Sequence, residues 1–201
     1  LSFTTKDGLP SLITSGISNI TTTTAISGGN ITDDGGFAIT SRGVCWNTSS
    51  SPTINDNKTI DGLGIGNYTS NLTGLNSNTK YYIRAYATNV NGTSYGNELI
   101  FDSEFICGID ILVDYDSNEY NTIEINGQCW MQESLKSIHY SDGTSLVDGT
   151  ACGDITGDYS TKYYFNYNDS ESNVETYGRL YTWAAAMNGE SSSNSNPSNV
   201  Q

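Results

Sequence analysis

A mainly β chain is predicted, built as a β-sandwich followed by an α+β domain with one short helix, and three observations carry that prediction. First, only 15% of the residues are charged while Gly occurs 21 times and aromatics reach 11%. With a heavy load of Thr, Ser and Asn, this composition favours short strands and turns over helices. Second, Leu75-Asn76-Ser77-Asn78-Thr79-Lys80 leads into Tyr81-Tyr82-Ile83-Arg84-Ala85-Tyr86-Ala87 as a turn feeding a strand. Tyr81, Ile83, Ala85 and Ala87 alternate with an outward set of Tyr82, Arg84 and Tyr86, the period of a strand with one face on a core. Third, 201 residues suit two ordinary domains, and the texture of the chain changes from Phe105 onward.

In chain order, Leu1-Ser2-Phe3-Thr4-Thr5 repeats the character of Leu99-Ile100-Phe101-Asp102-Ser103 at the spacing of one module. Residues 1–7 are therefore expected to be the tail of a preceding repeat, with the chain an excerpt of a longer tandem protein whose export signal lies outside it. The sandwich spans 8–103. Within it, Cys45 in Gly43-Val44-Cys45-Trp46 reads as a small buried hydrophobe and Trp46 as a structural residue of the same apolar strand. A Tyr early in a late strand can turn its hydroxyl back to the backbone a few residues upstream, and Tyr81 is the candidate for that structural role.

The second domain, 104–201, opens with a strand from Gly108 to Tyr115, a polar turn, and a return from Glu119 to Gln128. The four cysteines permit three full pairings, and sequence alone does not choose among them. Cys107 and Cys129 flank this hairpin, which favours a disulfide between them in an oxidising compartment. Further on, Leu180, Trp183, Ala184 and Met187 fall at i, i+3, i+4 and i+7 and predict a helix from about Tyr177 to Asn188, with Arg179 snorkelling beside the stripe. Trp183 is read as structural, and Gly189 as the helix stop.

From Pro10 to Phe101 the chain resembles the fibronectin type III-like modules of Bacteroidetes surface proteins. The resemblance is carried by Gly35-Gly36, Ser41-Arg42-Gly43-Val44-Cys45-Trp46, Tyr81 to Asn89 and Gly92-Thr93-Ser94-Tyr95-Gly96-Asn97. It implies an Ig-like two-sheet sandwich used as a spacer or binding module. Gly127-Gln128-Cys129-Trp130-Met131 with Leu135-Lys136, the Asp142-Gly143 turn, and Tyr177-Gly178-Arg179-Leu180-Tyr181-Thr182-Trp183 resemble the FISUMP family, the Fibrobacter succinogenes major paralogous domain. Ser134 stands where that family commonly has Asn. The resemblance implies a secreted or surface protein, often a lipoprotein, with a fold loosely akin to C-type lectins. Members continue with a Cys-Pro-x-Gly-Trp-His segment, so 104–201 is read as the first half of such a domain, and the partner of Cys152 stays open.

The balance of 22 acidic against 8 basic side chains, a formal charge of −14, repels phosphate backbones and anionic lipid and argues against nucleic acid as a partner. No apolar run approaches the ~18 residues of a membrane span. Among candidate sites, Asp114, Asp116 and Asn118 share the alternate spacing that begins calcium loops, but no Gly follows at the required turn position, and a self-bonded hairpin turn explains them. The oxygen-rich runs Asp154 to Asp158 and Asn166 to Glu171 are read in the same way. His139 is the lone histidine, no Cys-x-x-Cys occurs, and no nucleophile or carboxylate pair stands out, so neither zinc nor an enzyme is expected.

The aromatic cluster Tyr159, Tyr163, Tyr164, Phe165 and Tyr167 is the best candidate binding surface, because rings stack on sugar faces while amides reach hydroxyls. Alternation places Tyr163, Phe165 and Tyr167 toward a core and leaves Tyr164 open, with Tyr167 and Asn166 beside it as ligand contacts. Together these readings give a non-catalytic segment of a secreted or cell-surface protein that works in adhesion or glycan binding with the sandwich as spacer. Its partners would be glycans, another surface protein or neighbouring modules of the same chain. The competing readings are a stalk or filament subunit without a soluble ligand, and an accessory module of a polysaccharide-degrading enzyme.

Overall fold

The computed structural model describes residues 8–158 and 160–188, and of Trp183 and Met187 only the backbone. The chain divides into two compact units, Leu1–Ile106 and Cys107–Gln201.

The first unit is a sandwich of two antiparallel sheets. One holds β1 (Ser11–Thr14), β2 (Thr24–Asp33) and β5 (Gly66–Thr73) in the order β1-β2-β5. The other runs β4 (Asn57–Lys58), β3 (Ser41–Asn47), β6 (Lys80–Asn89) and β7 (Gly92–Tyr95), with β8 (Leu99–Asp102) also on β6. The sharing of β6 explains its ten residues: β8 pairs with Lys80 to Ile83, β7 with Tyr86 to Asn89, and Gly96 bridges them by donating its N–H to the Ala85 carbonyl at 2.9 Å. Thr14 then ties β1 to this sheet, its hydroxyl accepting from the Ala85 N–H at 3.0 Å and donating to the Asn97 carbonyl at 2.5 Å. A Cβ on Gly96 would lie 2.6 Å from that hydroxyl, which is why the position is glycine.

Between the sheets, Ala25, Val44, Trp46, Leu72, Leu75, Tyr81, Ile83 and Phe101 form one apolar cluster. Tyr81 stacks on Phe101 with centroids 5.7 Å apart, and its hydroxyl accepts the Asn76 N–H at 2.9 Å, closing the turn that leads into β6. Cys45 is buried in β3, and burial pushes its thiol up to about 11, so it stays a thiol at neutral pH. One alternation rule fails. Tyr86, expected on the outward face of β6, is 2% exposed. It lies against Gly43, where a Cβ would come within 2.8 Å of its ring, and donates to the Thr59 carbonyl at 2.6 Å, so the 59–61 segment roofs this side of the sheet. Arg84, on the same side, sits 4.5 Å over the Tyr95 ring.

The second unit is a set of small sheets. The expected long hairpin is two: β9 (Leu112–Val113) with β10 (Glu119–Tyr120), then β11 (Thr122–Ile125) with β12 (Gln128–Met131). Asn126 and Gly127, both at positive φ (53° and 77°), make the tight turn of the second. The Cys107–Cys129 disulfide, Cα to Cα 5.7 Å, fastens the start of the unit to β12. A third sheet pairs β13 (Val147–Asp148) parallel to β14 (Tyr163–Asn166), and β14 antiparallel to β15 (Arg179–Tyr181).

The predicted continuous helix over 177–188 is broken in the structure. A single turn, α1 (Val174–Tyr177), stops at Gly178, where φ is +71° and the N–H caps the Val174 carbonyl. A Cβ at Gly178 would meet that of Ser134 at 2.5 Å. Arg179 then bonds the Leu135 carbonyl and the chain becomes β15, because pairing with β14 satisfies its backbone where a helix would lose that sheet. Only α2 (Trp183–Met187) of the predicted helix forms, its N-cap Thr182 accepting from the Ala185 N–H at 3.3 Å. Leu180, assigned to the apolar stripe, is exposed on β15. The side chains of Trp183 and Met187, the stop at Gly189, Tyr159 and the repeat tail 1–7 lie outside the described residues.

The interior of this unit is phenolic. Tyr120, wholly buried, donates to Asp114 Oδ2 at 2.7 Å and accepts the Lys136 N–H at 2.9 Å. Tyr140 donates to the Ala185 carbonyl at 2.6 Å, and Tyr181 to the Ser137 carbonyl at 2.8 Å.

Candidate ligand-binding surface

After Asn166 ends β14, the chain passes through two short 3₁₀ turns, Tyr167–Asp169 and Glu171–Asn173, before α1. Asn168 and Asp169 take positive φ (53° and 52°), a conformation that short polar side chains tolerate. Asn173 Nδ2 donates to the Tyr167 carbonyl at 2.9 Å, and Val174 buries at the start of α1. These constraints hold Tyr167 beside Tyr177, ring centroids 4.9 Å apart at 46°, and both remain open at 45% and 55% exposure. Two rings fixed at that angle make a shallow notch of apolar faces on a loop that also carries exposed Asn168 and Ser172 and half-buried Ser170.

Behind the notch lies a charged brace. Arg179 donates through Nη2 to Glu171 Oε1 at 2.8 Å, through Nε to the Lys136 carbonyl at 2.8 Å, and through Nη1 to Asn166 Oδ1. Asn166 returns its amide to Glu171 Oε2 at 2.7 Å. The Arg179 bond holds the Glu171 carboxyl below its ordinary range, so it is ionised at neutral pH. The Arg179 guanidinium lies 4.9 Å over the Tyr164 ring. Burial and the neighbouring Asp148 carboxylate push the Tyr164 phenol up.

The three sequence-predicted contacts thus part company. Tyr167 is open. Tyr164 is covered by Arg179, and Asn166 is 7% exposed with both ends of its amide committed. The predicted orientation of β14 is corrected as well: Tyr164 and Asn166 face the brace, while Tyr163 and Phe165 lie on the side that carries exposed Val147 and Leu180. The sequence does not single out Tyr177 as a site residue, and it offers Glu171 only as the end of an oxygen-rich run and Arg179 only as a side chain snorkelling beside a helix. The signal was the Tyr177-Gly178 pair: a helix-ending glycine would have placed Tyr177 on a turn rather than inside a helix.

The calcium candidates are occupied by protein donors. Asp114 accepts from the Asn118 N–H at 2.8 Å, Asn118 Nδ2 at 2.9 Å and the Tyr120 hydroxyl. Asp116 accepts from the Ser137 hydroxyl at 2.9 Å, the N–H groups of Ile138 and His139 at 2.6 and 3.1 Å, and His139 Nδ1 at 2.5 Å. Ser137 gives its hydroxyl to Asp116 and the His139 carbonyl, so no serine–imidazole contact of a nucleophilic pair forms there. In the second oxygen-rich run, Asp154 and Asp158 accept N–H bonds from Thr156, Ser160 and Thr161 as turn caps.

Residues 123–199 match the Fibrobacter succinogenes major domain. Solved structures similar to this chain include the fibronectin type III domain of human KIAA0970 protein, at 13% identity and TM-score 0.33 over 49% of this chain and 77% of that one. The third fibronectin III domain of human KIAA0343 protein matches at 15% identity and TM-score 0.34, over 55% and 95%. The sensor domain of the anti-sigma factor RsgI4 in Pseudobacteroides cellulosolvens matches at 15% and 0.36, over 48% and 76%. No curated protein matches the sequence. A two-sheet antiparallel sandwich thus precedes, in sequence, a region that is similar to the Fibrobacter succinogenes major domain. The Cys107–Cys129 disulfide is a bond of the kind that persists in oxidising compartments. Among the described residues, no helix is long and apolar enough to cross a membrane.

Proposed function

We propose that this chain is a non-catalytic segment of a secreted or cell-surface protein that binds glycans through Tyr167 and Tyr177, with the sandwich as spacer. The observation that carries the reading is the exposed ring pair at 4.9 Å, held by its own loop and not by a hydrophobic core. The apolar face of a pyranose stacks on such rings, and adjacent amides and hydroxyls reach its OH groups. Calorimetric titration of the full chain against a panel of oligosaccharides tests it. The double substitution Tyr167→Ala with Tyr177→Ala should weaken binding about tenfold or more, from ring contacts of ~0.5–1.5 kcal/mol each beyond area burial. Unchanged affinity, or no saccharide bound at all, overturns the reading.

A second reading, a stalk subunit whose modules contact one another, is favoured by a different surface. Ile123, Ile125 and Trp130 share one face of the β11–β12 hairpin and are 43%, 50% and 54% exposed. Such a face is commonly an interaction site. Concentration-dependent association in sedimentation, removed by Trp130→Ser, would favour the stalk.

A further inference from the structure

The charges around the ring notch are arranged asymmetrically. Among the described residues, two cations lie on the elements next to the ring pair, and each is already engaged by an acid: Arg179 by Glu171 and Lys136 by Glu175, both at 2.8 Å. Within each pair the cation is the covered partner. The side chains of Arg179 and Lys136 are 10% and 15% exposed, against 71% and 81% for Glu171 and Glu175. The solvent that a ligand would enter therefore meets carboxylates, with the positive charge behind them. Asp169 adds another exposed acid on the loop between the two tyrosines. Asp148, exposed at the end of β13, acts electrostatically on both Tyr164 and Arg179. Four acids, Asp148, Asp169, Glu171 and Glu175, thus stand against two cations, a local balance of −2 in a chain of −14 overall.

From this we infer that the Tyr167–Tyr177 surface selects uncharged glycan chains and rejects carboxylated or sulfated ones. The inference rests on the glycan-binding reading above and adds the ligand class. Among the described residues, the cations of these elements, Arg179 and Lys136, are already paired, so a uronate seated on the rings would meet exposed Glu171 and Glu175 first. Releasing Arg179 for such a ligand would break its bonds to Glu171 and Asn166, leaving Glu171 without its counter-charge. A neutral hexose chain meets none of these costs, because stacking and hydroxyl hydrogen bonds carry no net charge. Two net charges taken at a separation on the order of 8 Å in water would amount to roughly fivefold in affinity at low salt, a difference that is screened at high salt.

The full chain would be titrated with two oligosaccharides of identical backbone, one neutral and one oxidised to carboxylate at its primary alcohols, at about 20 mM and about 500 mM salt. The expected result is tighter binding of the neutral sugar at low salt by about fivefold, narrowing at high salt. Substituting Glu171→Gln together with Glu175→Gln should shrink the ratio of the two affinities toward one. Equal binding of both sugars by the unaltered chain at low salt, or a preference for the carboxylated one, overturns the charge selection while leaving glycan binding standing. If neither sugar nor any other saccharide of the panel binds, the glycan reading itself fails. Capture of a protein partner by the intact ring pair, lost in the double tyrosine variant, would have the same meaning.

Discussion

The two units bury their interiors by different chemistry. The sandwich closes two sheets over Val44, Trp46, Leu72, Leu75, Ile83 and Phe101, a mainly apolar cluster, and adds phenols at its margins: Tyr81 at the corner, and Tyr86 and Tyr68 bonded to backbone carbonyls. The second unit has few buried aliphatics. It relies on Tyr120, Tyr140 and Tyr181, each tied by its hydroxyl, on carboxylates that collect N–H donors, and on one disulfide. An apolar core is indifferent to pH and redox state, whereas a core held by phenols, carboxylates and a cystine responds to both. Stability in the two units should therefore be separable by experiment, and hydrogen exchange resolved by segment is the measurement that separates them.

The largest effect expected is in the sandwich. Trp46→Ala should cost it ~3–5 kcal/mol, because a fully packed indole leaves a cavity that two sheets cannot collapse. Protection in β3 and β6 should fall while protection in β14 and β15 holds. If both units lost protection together, the difference between them would be one of composition only and not of independent folding.

The counterpart lies in the disulfide. Opening Cys107–Cys129, by reduction or by paired Cys→Ser substitution, releases a closed loop of sequence separation 22. It should cost the second unit roughly 3 kcal/mol and the sandwich nothing. Cys45, buried with its thiol raised to about 11, should stay unmodified by a thiol reagent under conditions where exposed Cys152 reacts. Loss of sandwich protection on reduction would break the comparison.

Matched phenol substitutions sharpen it further. Tyr120→Phe strips a donor from Asp114 and leaves the Lys136 N–H without its acceptor in a site with no solvent access, a loss of ~1–3 kcal/mol. Tyr81→Phe removes one bond, to the Asn76 N–H, and keeps the stack on Phe101, so a loss near ~1 kcal/mol is expected. Chemical denaturation of each variant, read by unit, should rank them in that order, and equal losses would say that both phenols serve packing alone.

What could be read from the sequence follows the same division. Tyr81, Ile83, Ala85 and Ala87 declared a strand because a sheet between two layers imposes period 2 on its residues, and the pattern survives in the chain. Tyr86 escaped that rule because Gly43 and the 59–61 segment, 25 or more residues away, make a second cover over the outward face. In the second unit the signal is weaker. Short strands offer too few alternations to fix a face, so the pattern alone turns Tyr164 and Asn166 toward solvent although Arg179, 13 residues beyond Asn166, braces them. The helix over 177–188 was misjudged for a similar reason: an apolar stripe at helical spacing says nothing about Gly178 packed on Ser134. Sequence patterns report contacts between neighbouring turns and strands; brace and notch are long-range contacts and leave no period behind.

The smallest effect, and the most diagnostic, is acid sensitivity. In the second unit, burial pushes the Asp116 carboxyl up, but bonds from the Ile138 N–H, His139 and Ser137 outweigh it and hold the group below its usual range. Glu133, Asp142, Asp148, Asp154 and Glu171 are lowered too, and the bonds from Thr161 hold Asp158 down at about 2. In the sandwich, only Asp56 among the described residues is lowered, chiefly by the Thr53 N–H. A carboxyl whose folded value lies below its unfolded value near ~4 stabilises fully above that pH, because the unfolded chain then binds no extra protons. As pH falls from about 4 toward 2, the unfolded state takes up protons that the folded unit refuses, and stability drops. Each exposed carboxyl contributes little by itself, since solvent screens it, so the loss should accumulate gradually across seven groups. Protection in the 116–139 clamp and in β14 should therefore fade below pH 4 while β3 and β6 keep theirs. Asp116→Asn should blunt the acid response of the clamp and lower its stability at pH 7, whereas Asp56→Asn should leave the second unit unmoved. Sandwich strands that opened at the same pH as the clamp would show that charge, and not the kind of core, sets the acid limit of this chain.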